Sequence, residues 1–575
     1  MSMTNADRPV RSGLVIDVSD LRVRTALLHL VDGEHRFIGS AMAHSTSFPP
    51  IQDVAVGVKR SIRSVEEDTG LRVLGADGIE SPMANDRGVD LAVVTGQPAP
   101  PLRLSIVCLG RRDAADAVIA AARRTWTVAD IVLERVRTPE GAFSGALLAS
   151  TIEEFKPDVV TIVHGDCSDA EWAAAVGTLT QLINSGLLTS VIVIAAERLL
   201  DGLQDLNTAG VEVQGLDPSS ASQAEISSSL ELEFLARQSA SVDVRALVGG
   251  TGATYVSQVR AAELATRYIA RRRECPVAAV DIDSGTTVHW ATPDMSEVLV
   301  RADIDVSGNV AQILRGNPTA ILGRLPFPAS QEDVVHWVLN RMLRPRTVTE
   351  NPRDLAIEMA LAVEAVRMMT AGAREHLALS ACIIGGSPFI DWPNAALASL
   401  ALLDALEPEP VSGVVQIVLD TDGLVTAAGA VGESSPAMAA AILDNDLLSP
   451  TAMAIVVSGS GGEGDVAVRG SLDVPGKQPV RFSVACGGMH RFESLADGAT
   501  ISLTCESGFT IGDATTRQFT IDRSNMVHSK SSNRIDPGDV GIIIDARGRP
   551  LPSTGDIATR YQQIATWQDA LGIQR

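Results

Sequence analysis

Two segments of the sequence place carboxylates after an apolar run and within a small polar loop. Asp17 ends the first run and Asp20 lies in the loop beyond it, whereas Asp281 and Asp283 hold the equivalent places far downstream. If the loops met, four carboxylates would offer the oxygen ligands that divalent cations prefer. The pattern favours a simpler alternative, in which Asp17 and Asp281 cap turns and the other two are solvated turn residues.

The elements around these carboxylates have the same order in both places. The apolar runs 14–16 and 23–30 predict a β-hairpin, and the runs 277–280 and 286–288 predict another. The two segments lie 264 positions apart, which is too long for a solenoid repeat and fits two related domains. The sequence therefore predicts an internal duplication.

Between the hairpins the chain alternates short apolar runs with helical stretches. Strands are expected at 159–163, 191–195 and 211–213, and helices at 170–185 and 197–207. Such alternation predicts a parallel sheet with helices on its faces. Glycines 249–252 punctuate the chain and are expected to open a long helix over 255–273.

Composition narrows the class of protein. The 575 residues carry a formal net charge of -23, which disfavours nucleic acid and anionic membrane surfaces as partners. No apolar run reaches the roughly 18 residues of a membrane span, and the N-terminus lacks the pattern of a signal peptide. The 6 cysteines form no CxxC pair, so reduced thiols in a cytoplasmic protein are expected.

A series of segments, in order along nearly the whole chain, carries a family resemblance. They are 14–17, 280–287, Leu325-Pro326, 338–340, Arg344-Pro345, 353–355, 360–367, LLDALEP at 402–408, 424–431 and GIIIDARGRPL at 541–551. In this order they resemble the glutamate mutase L family of MutL or GlmL-type proteins, which is unrelated to the mismatch-repair MutL. That family belongs to the sugar kinase, Hsp70 and actin superfamily.

The resemblance implies an α/β fold of two duplicated actin-like ATPase domains, ribonuclease H-like in topology, plus a small mainly-β C-terminal domain. The expected bounds are 1–245 for the first domain with an inserted α/β segment, 246–440 for the second, and 441–575 for the third. Short strands between Gly, Asp, Pro and Ser turns after about residue 445 agree with the third.

In this superfamily a nucleotide lies between the two domains, and glycine-containing hairpin turns surround its phosphates with backbone N–H groups. Here Ser19 stands at the usual glycine position and Leu21 at the usual hydroxyl position, while Asp283 replaces a second glycine. A third glycine-rich stretch reads TGQPAPP at 95–101, where prolines remove N–H donors. Carboxylates facing a polyphosphate repel it unless a metal bridges them. The sequence therefore predicts a degenerate ATPase, with hydrolysis absent or very weak and no catalytic residue.

The residues that correspond to the nucleotide site by this resemblance are Asp17, Ser19, Asp281, Asp283, Ser284, Gly285, Thr286, Thr287, Gly385 and Gly386. The last two belong to IGGSP at 384–388, which resembles an intact adenosine loop. An ordinary strand-to-helix glycine turn explains them equally well. ATP with Mg²⁺ is a doubtful cofactor on this evidence, and no metal site is predicted.

Three functions stay open. The first is a non-catalytic or barely catalytic partner protein, chaperone-like or reactivating; the resemblance implies association with an adenosylcobalamin-dependent mutase. The second is a working ATPase with unconventional phosphate loops. The third is a small-molecule kinase, which a missing glycine-rich phosphate loop disfavours.

Two further patterns carry no chemistry. The glycine-rich segment 459–464 matches G-x-G-x-x-G, but the residues after it predict a strand rather than the required helix. His164 with Cys167, and Cys486 with His490, have metal-compatible spacing without a second pair nearby, whereas structural zinc takes four ligands.

Overall fold

The computed structural model describes residues 10–85, 87–132, 136–196, 199, 212–217, 221–250, 252–447, 449–462, 464–493, 495–523, 533–551 and 557–573. The chain divides into two compact units. The larger unit comprises Met1–Pro98, Asp243–Val298 and Asp303–Arg575, and the smaller comprises Ala99–Val242 and Leu299–Ala302. No helix among the described residues is long and apolar enough to cross a membrane.

The strands alternate with helices over the first three quarters of the chain and dominate the last quarter. In chain order they are β1 Ser12–Val18, β2 Arg22–Val31, β3 Glu34–His44, β4 Leu91–Gly96, β5 Leu102–Gly110, β6 Thr127–Val132, β7 Val159–Gly165, β8 Ser190–Ile194, β9 Glu212–Leu216, β10 Ala253–Tyr255, β11 Val277–Ile282, β12 Thr286–Ala291, β13 Ser296–Arg301, β14 Cys382–Gly385, β15 Val414–Leu419, β16 Ala452–Val456, β17 Ser458–Gly459, β18 Val466–Asp473, β19 Val480–Ala485, β20 Met489–Phe492, β21 Thr500–Cys505, β22 Phe509–Thr510, β23 Thr516–Ile521, β24 Arg534–Ile535 and β25 Gly541–Asp545.

Most of the helices begin at a Ser, Asp or Asn whose side chain accepts a hydrogen bond from the first turn. They are α1 Val54–Thr69, α2 Asp116–Ala122, α3 Gly145–Phe155, α4 Asp169–Asn184, α5 Gln223–Ala240, α6 Val244–Val248, α7 Gln258–Arg273, α8 Ala311–Gly316, α9 Pro318–Leu322, α10 Gln331–Leu343, α11 Pro352–Thr370, α12 Arg374–Ala378, α13 Ala395–Leu406, α14 Leu424–Gly432, α15 Pro436–Asn445 and α16 Ile557–Ala570.

The first sheet of the larger unit has the order β10-β4-β1-β2-β3. β1 pairs antiparallel with β2 and parallel with β4, which in turn pairs parallel with β10. Leu14 and Ile16 are fully buried on one face, where α1 packs, because alternate side chains of a strand point to the same side. The predicted hairpin around Asp17 is confirmed as β1 and β2.

The second sheet of this unit has eight strands in the order β13-β12-β11-β14-β15-β16-β25-β20. β11 pairs antiparallel with β12 and parallel with β14, and β14 pairs parallel with β15. The strands β15-β14-β11-β12-β13 at one end of this sheet therefore have the same order as β10-β4-β1-β2-β3 of the first sheet. The pairings β11–β12, β11–β14 and β14–β15 also have the same directions as β1–β2, β1–β4 and β4–β10. The predicted second hairpin is confirmed as β11 and β12.

The strands after residue 445 are divided among three sheets, one of which is the two-stranded pair of β17 and β22. β16, β25 and β20 extend the eight-stranded sheet, and a separate five-stranded sheet has the order β19-β18-β21-β23-β24. Part of the expected C-terminal β-segment therefore shares a sheet with strands that precede residue 440. Gly459 lies in a short strand and β18 follows it, in agreement with the prediction that 459–464 opens no helix.

Helices α7, α14 and α15 lie between the two sheets of the larger unit. Their apolar side chains form one core with β1, β2 and β4 of the first sheet and with β11, β14 and β15 of the second. α7 and α14 approach so closely that a Cβ at Gly429 would lie 1.8 Å from the carbonyl oxygen of Ala261. β1 and β11 lie on opposite faces of this helix layer, and the loops that follow them meet at one edge of it.

The start of α7 corrects one prediction. The glycines at 249–252 were expected to open a helix, but β10 comes first and adds an edge strand to the first sheet. The helix begins later, where the Ser257 hydroxyl accepts a hydrogen bond from the backbone N–H of Arg260. A three-residue strand has too little periodicity to be recognised from sequence.

The smaller unit is an all-parallel sheet in the order β6-β5-β7-β8-β9. α2 and α5 pack on one face, and α3 and α4 pack on the other. The predicted strands at 159–163 and 191–195 and the predicted helix at 170–185 are confirmed as β7, β8 and α4. The helix expected at 197–207 falls almost wholly outside the described residues.

Candidate functional site

The loop of the first hairpin is a tight turn. The backbone N–H and hydroxyl of Ser19 both donate to the carbonyl oxygen of Arg22, at 2.9 and 3.1 Å, and Ser19 is buried. Its hydroxyl also accepts from the N–H of Arg22 at 3.1 Å. The Ser19 side chain is thus used to close its own turn.

The loop of the second hairpin is closed in the same way. The N–H of Asp283 donates to the carbonyl oxygen of Gly285 at 3.0 Å. The hydroxyl of Thr286 donates to the carbonyl oxygen of Ile304 at 2.8 Å, and Thr286 and Thr287 are both buried. The Thr286 hydroxyl is therefore already bonded to the backbone and would have to break this bond to donate to a phosphate.

The two hairpin loops meet directly. The backbone N–H of Asp20 donates to the Ser284 hydroxyl oxygen at 2.9 Å, across 264 positions of sequence. The N–H that the first loop would offer to a phosphate is thus bonded to the second loop. The sequence predicted that the loops would face each other but not that they would touch.

Arg22 strengthens this contact from the end of the first loop. Its Nη1 and Nη2 donate to the two carboxylate oxygens of Asp391 at 3.0 and 2.7 Å, and its Nε lies 3.6 Å from Asp283. A bidentate Arg–carboxylate pair is among the stronger polar contacts in proteins. Although burial lowers the pKa of Arg22, the charges of Asp283 and Asp391 outweigh it and raise that pKa above its ordinary value. We call Arg22, Asp391 and Asp283, together with the Asp20–Ser284 bond, the clasp.

Asp281 connects β11 to the glycine turn after β14. One carboxylate oxygen accepts from the N–H of Ser387 at 2.7 Å, and the other accepts from the Gln258 side chain at 3.1 Å. A Cβ at Gly386 would lie 2.3 Å from the first oxygen. Gly386 is therefore needed for this carboxylate to reach the turn, and Gly385 accepts from the N–H of Asp420 at 2.9 Å beside it. Asp281 therefore caps the turn after β14 and not, as the sequence predicted, the turn after its own strand.

Asp17 is enclosed by the third stretch that the sequence singled out. Gly96 lies against the end of β1, and a Cβ there would be 2.1 Å from the carbonyl oxygen of Val18 and 2.5 Å from Asp17 Oδ1. The N–H of Gln97 donates to the same Val18 oxygen at 2.5 Å. The backbone of this stretch therefore fills space beside the Asp17 carboxylate.

Burial dominates the electrostatics of these carboxylates. It raises the pKa of Asp17 to about 6, with Arg24 opposing and Asp283 adding to the shift. Burial, with Asp283 next in size, raises the pKa of Asp281 to about 7, and the same two causes raise that of Asp20 to about 6. The protein surroundings of these three carboxylates thus favour the protonated form more than water does.

The four carboxylates do not form a metal centre. In the parts of the chain that the structure describes, no three His, Cys, Asp or Glu side chains are placed to hold a metal ion together. Asp283 keeps one buried oxygen without a hydrogen-bond partner, and Arg22 is its nearest cation. The arrangement is thus a closed set of internal contacts between the two sheets.

Sequence reasoning missed the residues that complete the site. Arg22 was visible as the last residue of the first loop, but its partner Asp391 is 369 positions away. Gln258 and Asp420 lacked any motif, and Asp420 caps α14 by accepting from the N–H groups of Leu424 and Val425 at 2.7 and 2.9 Å. The one sign of these contacts in the sequence was a basic residue, Arg22, next to the loop that contains Asp20.

Comparison with known proteins gives distant structural similarity alone. No protein-family model and no curated protein sequence matches the chain. Among solved structures, the nucleotide-free diol dehydratase-reactivating factor is 12% identical and similar over 74% of this chain and 100% of that chain, at a TM-score of 0.29. The Ppx/GppA enzyme of Aquifex aeolicus is 12% identical over 66% of this chain and 69% of its own, at 0.20. A carbohydrate kinase from Novosphingobium aromaticivorans is 13% identical over 74% and 93%, at 0.22. These neighbours have the actin-like ATPase and sugar-kinase fold.

Proposed function

We propose that the protein is an actin-like ATPase-fold protein that no longer turns over ATP and acts through a protein partner. The observation that carries the proposal is the clasp. It bonds the two hairpin loops to each other where a nucleotide of this fold would place its phosphates.

Three features of the clasp oppose phosphate binding. The Asp20 N–H donates to the Ser284 hydroxyl oxygen at 2.9 Å, so this N–H is not free to bind a phosphate. Arg22 is held by Asp391 and Asp283 rather than left as a free cation. Asp283 adds a buried negative charge, and an approaching polyphosphate would be repelled by it.

The two-domain organisation is part of the same proposal. The strand order β3-β2-β1-β4-β10 is repeated as β13-β12-β11-β14-β15, which supports an internal duplication of a ribonuclease H-like domain. We assign 1–245, with the inserted α/β segment, and β10 to the first actin-like domain, the rest of 246–440 to the second, and 441–575 to a mainly-β extension. A cytoplasmic location is part of the proposal, because the six cysteines, all within the described residues, form no disulfide.

The partner follows from the resemblance to the glutamate mutase L family. That resemblance points to an adenosylcobalamin-dependent carbon-skeleton mutase, for which this chain would act as a reactivating or assembly factor. The diol dehydratase-reactivating factor is named for a role of this kind, but its similarity is too distant to serve as support.

Calorimetry tests the loss of nucleotide binding. Titration of the full chain with Mg·ATP should give no binding heat at millimolar nucleotide, and phosphate release should stay at the rate of buffer. Micromolar affinity would contradict the proposal and favour a working ATPase with unconventional loops. Phosphate transfer to a small hydroxylated acceptor would favour the kinase alternative.

A reconstituted assay tests the partner. An adenosylcobalamin-dependent mutase from the same cell, inactivated by turnover, should recover activity when the chain and free cofactor are added without ATP. The matched control is the same chain with Arg22→Gln and Asp391→Asn, which opens the clasp. No binding and no recovery with any such mutase would reject this partner class while leaving the nucleotide result intact.

A further inference from the structure

The smaller unit offers a second place for a ligand, independent of the proposed function. In its sheet order β6-β5-β7-β8-β9, the chain moves outward from β5 in one direction through β6 and in the other through β7, β8 and β9. Ligands of open parallel sheets bind outside the carboxyl ends of the strands at such a reversal point. In this unit the point lies between the ends of β5 and β7.

Two glycines shape the backbone at that point. A Cβ at Gly165 would lie 2.6 Å from the carbonyl oxygen of Arg111, and one at Gly110 would lie 1.9 Å from the carbonyl oxygen of Gly165. The Arg111 N–H donates to the Gly165 oxygen at 2.5 Å. The chain leaving β5 is therefore held against β7, and space opens beside them over the ends of β7 and β8.

A cavity of about 250 Å³ occupies this space. Its floor is apolar and comes from the strand ends and from the two helices on this face, through Ala117, Val163, Ile194 and Ile226. This volume is below the roughly 300–1,000 Å³ of sites for drug-sized molecules, so the ligand is small. A floor of aliphatic side chains can pack against the face of a planar ring.

The rim of the cavity is polar and carries a net negative charge. Arg111 forms an ion pair with Asp113, and the Gln223 amide donates to the Asp113 carbonyl oxygen at 3.3 Å. Asp166 also lines the cavity. One arginine against two carboxylates disfavours a phosphate or a carboxylate and favours a group that donates N–H bonds.

Asp166 has an unusual backbone conformation. Its φ is 62°, in the left-handed region that non-glycine residues seldom occupy. Such conformations concentrate at binding and catalytic sites, where the surroundings hold them in place. Here the conformation places a carboxylate at the rim, immediately after Gly165.

We propose that this cavity binds a small, uncharged nitrogen heterocycle of the nucleobase class, as a base or nucleoside rather than a phosphorylated nucleotide. The aliphatic floor packs against the ring face. The carboxylate of Asp166 accepts from an exocyclic amino group, and Gln223 is placed beside the ring edge. The proposal needs no nucleotide in the clasp region and adds a ligand that the partner role does not require.

Saturation-transfer NMR on the full chain tests the proposal with adenosine and AMP as probes. Adenosine ring protons should receive saturation, and AMP should bind at least about tenfold more weakly, because its phosphate meets the negative rim. Asp166→Asn should weaken adenosine binding about tenfold and reduce the difference between the probes, since Asn tolerates the left-handed conformation. Asp116→Asn removes an exposed carboxylate outside the cavity and should change neither probe.

A second variant guards against indirect effects. Ala117→Leu fills the floor and should abolish adenosine saturation while leaving the circular dichroism spectrum unchanged. Absence of saturation in the unsubstituted protein at millimolar adenosine would overturn the proposal. Equal binding of AMP and adenosine, or binding that survives both Ala117→Leu and Asp166→Asn, would also overturn it.

Discussion

Replacement of Asp17 by Asn distinguishes a closed cleft from a cation or phosphate site. The carboxylate is buried at the end of β1, and burial raises its pKa from 3.8 to about 6. Asn has the same shape and cannot ionise. The substitution therefore removes the cost of burying a charge and little else.

The magnitude follows from proton linkage. Because the folded-state pKa exceeds the unfolded value, the stability that this group contributes is fully present below pH 3.8 and is lost as pH rises to about 6. A shift of about two units at 1.36 kcal/mol each costs about 3 kcal/mol above pH 7, and about half of that at pH 5. Asp17→Asn should thus be more stable than the natural protein, with a gain that grows from pH 5 to pH 7.5.

Hydrogen exchange measures the stability difference at β1 and β2 themselves. A local measurement is preferable to global unfolding because a chain of two units need not unfold in one step. Exchange of the peptide that covers β1 and β2 gives the opening free energy in each protein at pH 5 and at pH 7.5. The difference between Asp17→Asn and the natural protein should rise by about 1.5 kcal/mol between these two values. Asp68→Asn, at an exposed position on α1, is the matched control and should show no such rise.

A gain independent of pH would refute this account. So would a loss of protection in Asp17→Asn at pH 7.5, because it would mean that the folded protein uses the ionised form. The second result would return Asp17 to the role of a cation ligand, whereas the first would mean only that its pKa is not raised in the folded protein.

Three other experiments test contacts of the larger unit. Arg22→Gln and Asp391→Asn, combined in a double-mutant cycle by thermal melting, should show a coupling of about 1–2 kcal/mol, below that of a fully buried pair because the Asp391 side chain is 37% exposed. Gly386→Ala should lower the melting temperature by an amount equivalent to about 1–3 kcal/mol, because the added methyl group meets a carboxylate oxygen. Asp545→Asn should cost about 3 kcal/mol at pH 7, the lower end for a broken buried ion pair, because the fully buried Arg547 loses one of its two carboxylate partners and keeps Asp404.

Each of these has a control or a contrary outcome. Arg36→Gln breaks an ion pair to Asp446 away from the loops and should leave the Arg22 coupling unchanged. Gly372→Ala, where a Cβ meets nothing within 4 Å, should be nearly neutral. The arginines beside Asp545 outweigh its burial and hold its pKa well below the usual range, so its contribution is present above the ordinary pKa and lost in acid. A cost of Asp545→Asn that shows no decline as the pH falls from 4 towards 2 would contradict this assignment.

The local part of the fold was predictable from the sequence. Hairpins at Asp17 and Asp281 follow from alternating apolar runs that end in a turn-capping carboxylate, and the parallel sheet of the smaller unit follows from its alternation of strands and helices. Both patterns are encoded within about thirty residues. The bounds of the three proposed domains remain a prediction.

The contacts that decide the site were not predictable. Arg22 reaches Asp391 across 369 positions, and Asp20 reaches Ser284 across 264, so one sequence contains no local sign of either. Likewise the pairing of β16 and β25 with each other and with β15 and β20 depends on non-local register. Local patterns identified loops unsuited to phosphate, whereas the structure shows what those loops bind instead.

Restoring the usual phosphate-loop residues is therefore not expected to restore nucleotide binding by itself. Ser19→Gly, Leu21→Thr and Asp283→Gly together restore the phosphate-loop pattern and remove one carboxylate of the clasp. They leave Arg22 bonded to Asp391 by two hydrogen bonds, which an entering nucleotide must still break. We expect the triple variant to bind Mg·ATP no better than the natural protein in calorimetry, and the same variant with Arg22→Ser to gain measurable affinity. Binding by the triple variant alone would show that loop composition, rather than the ion pair of the clasp, excludes the nucleotide.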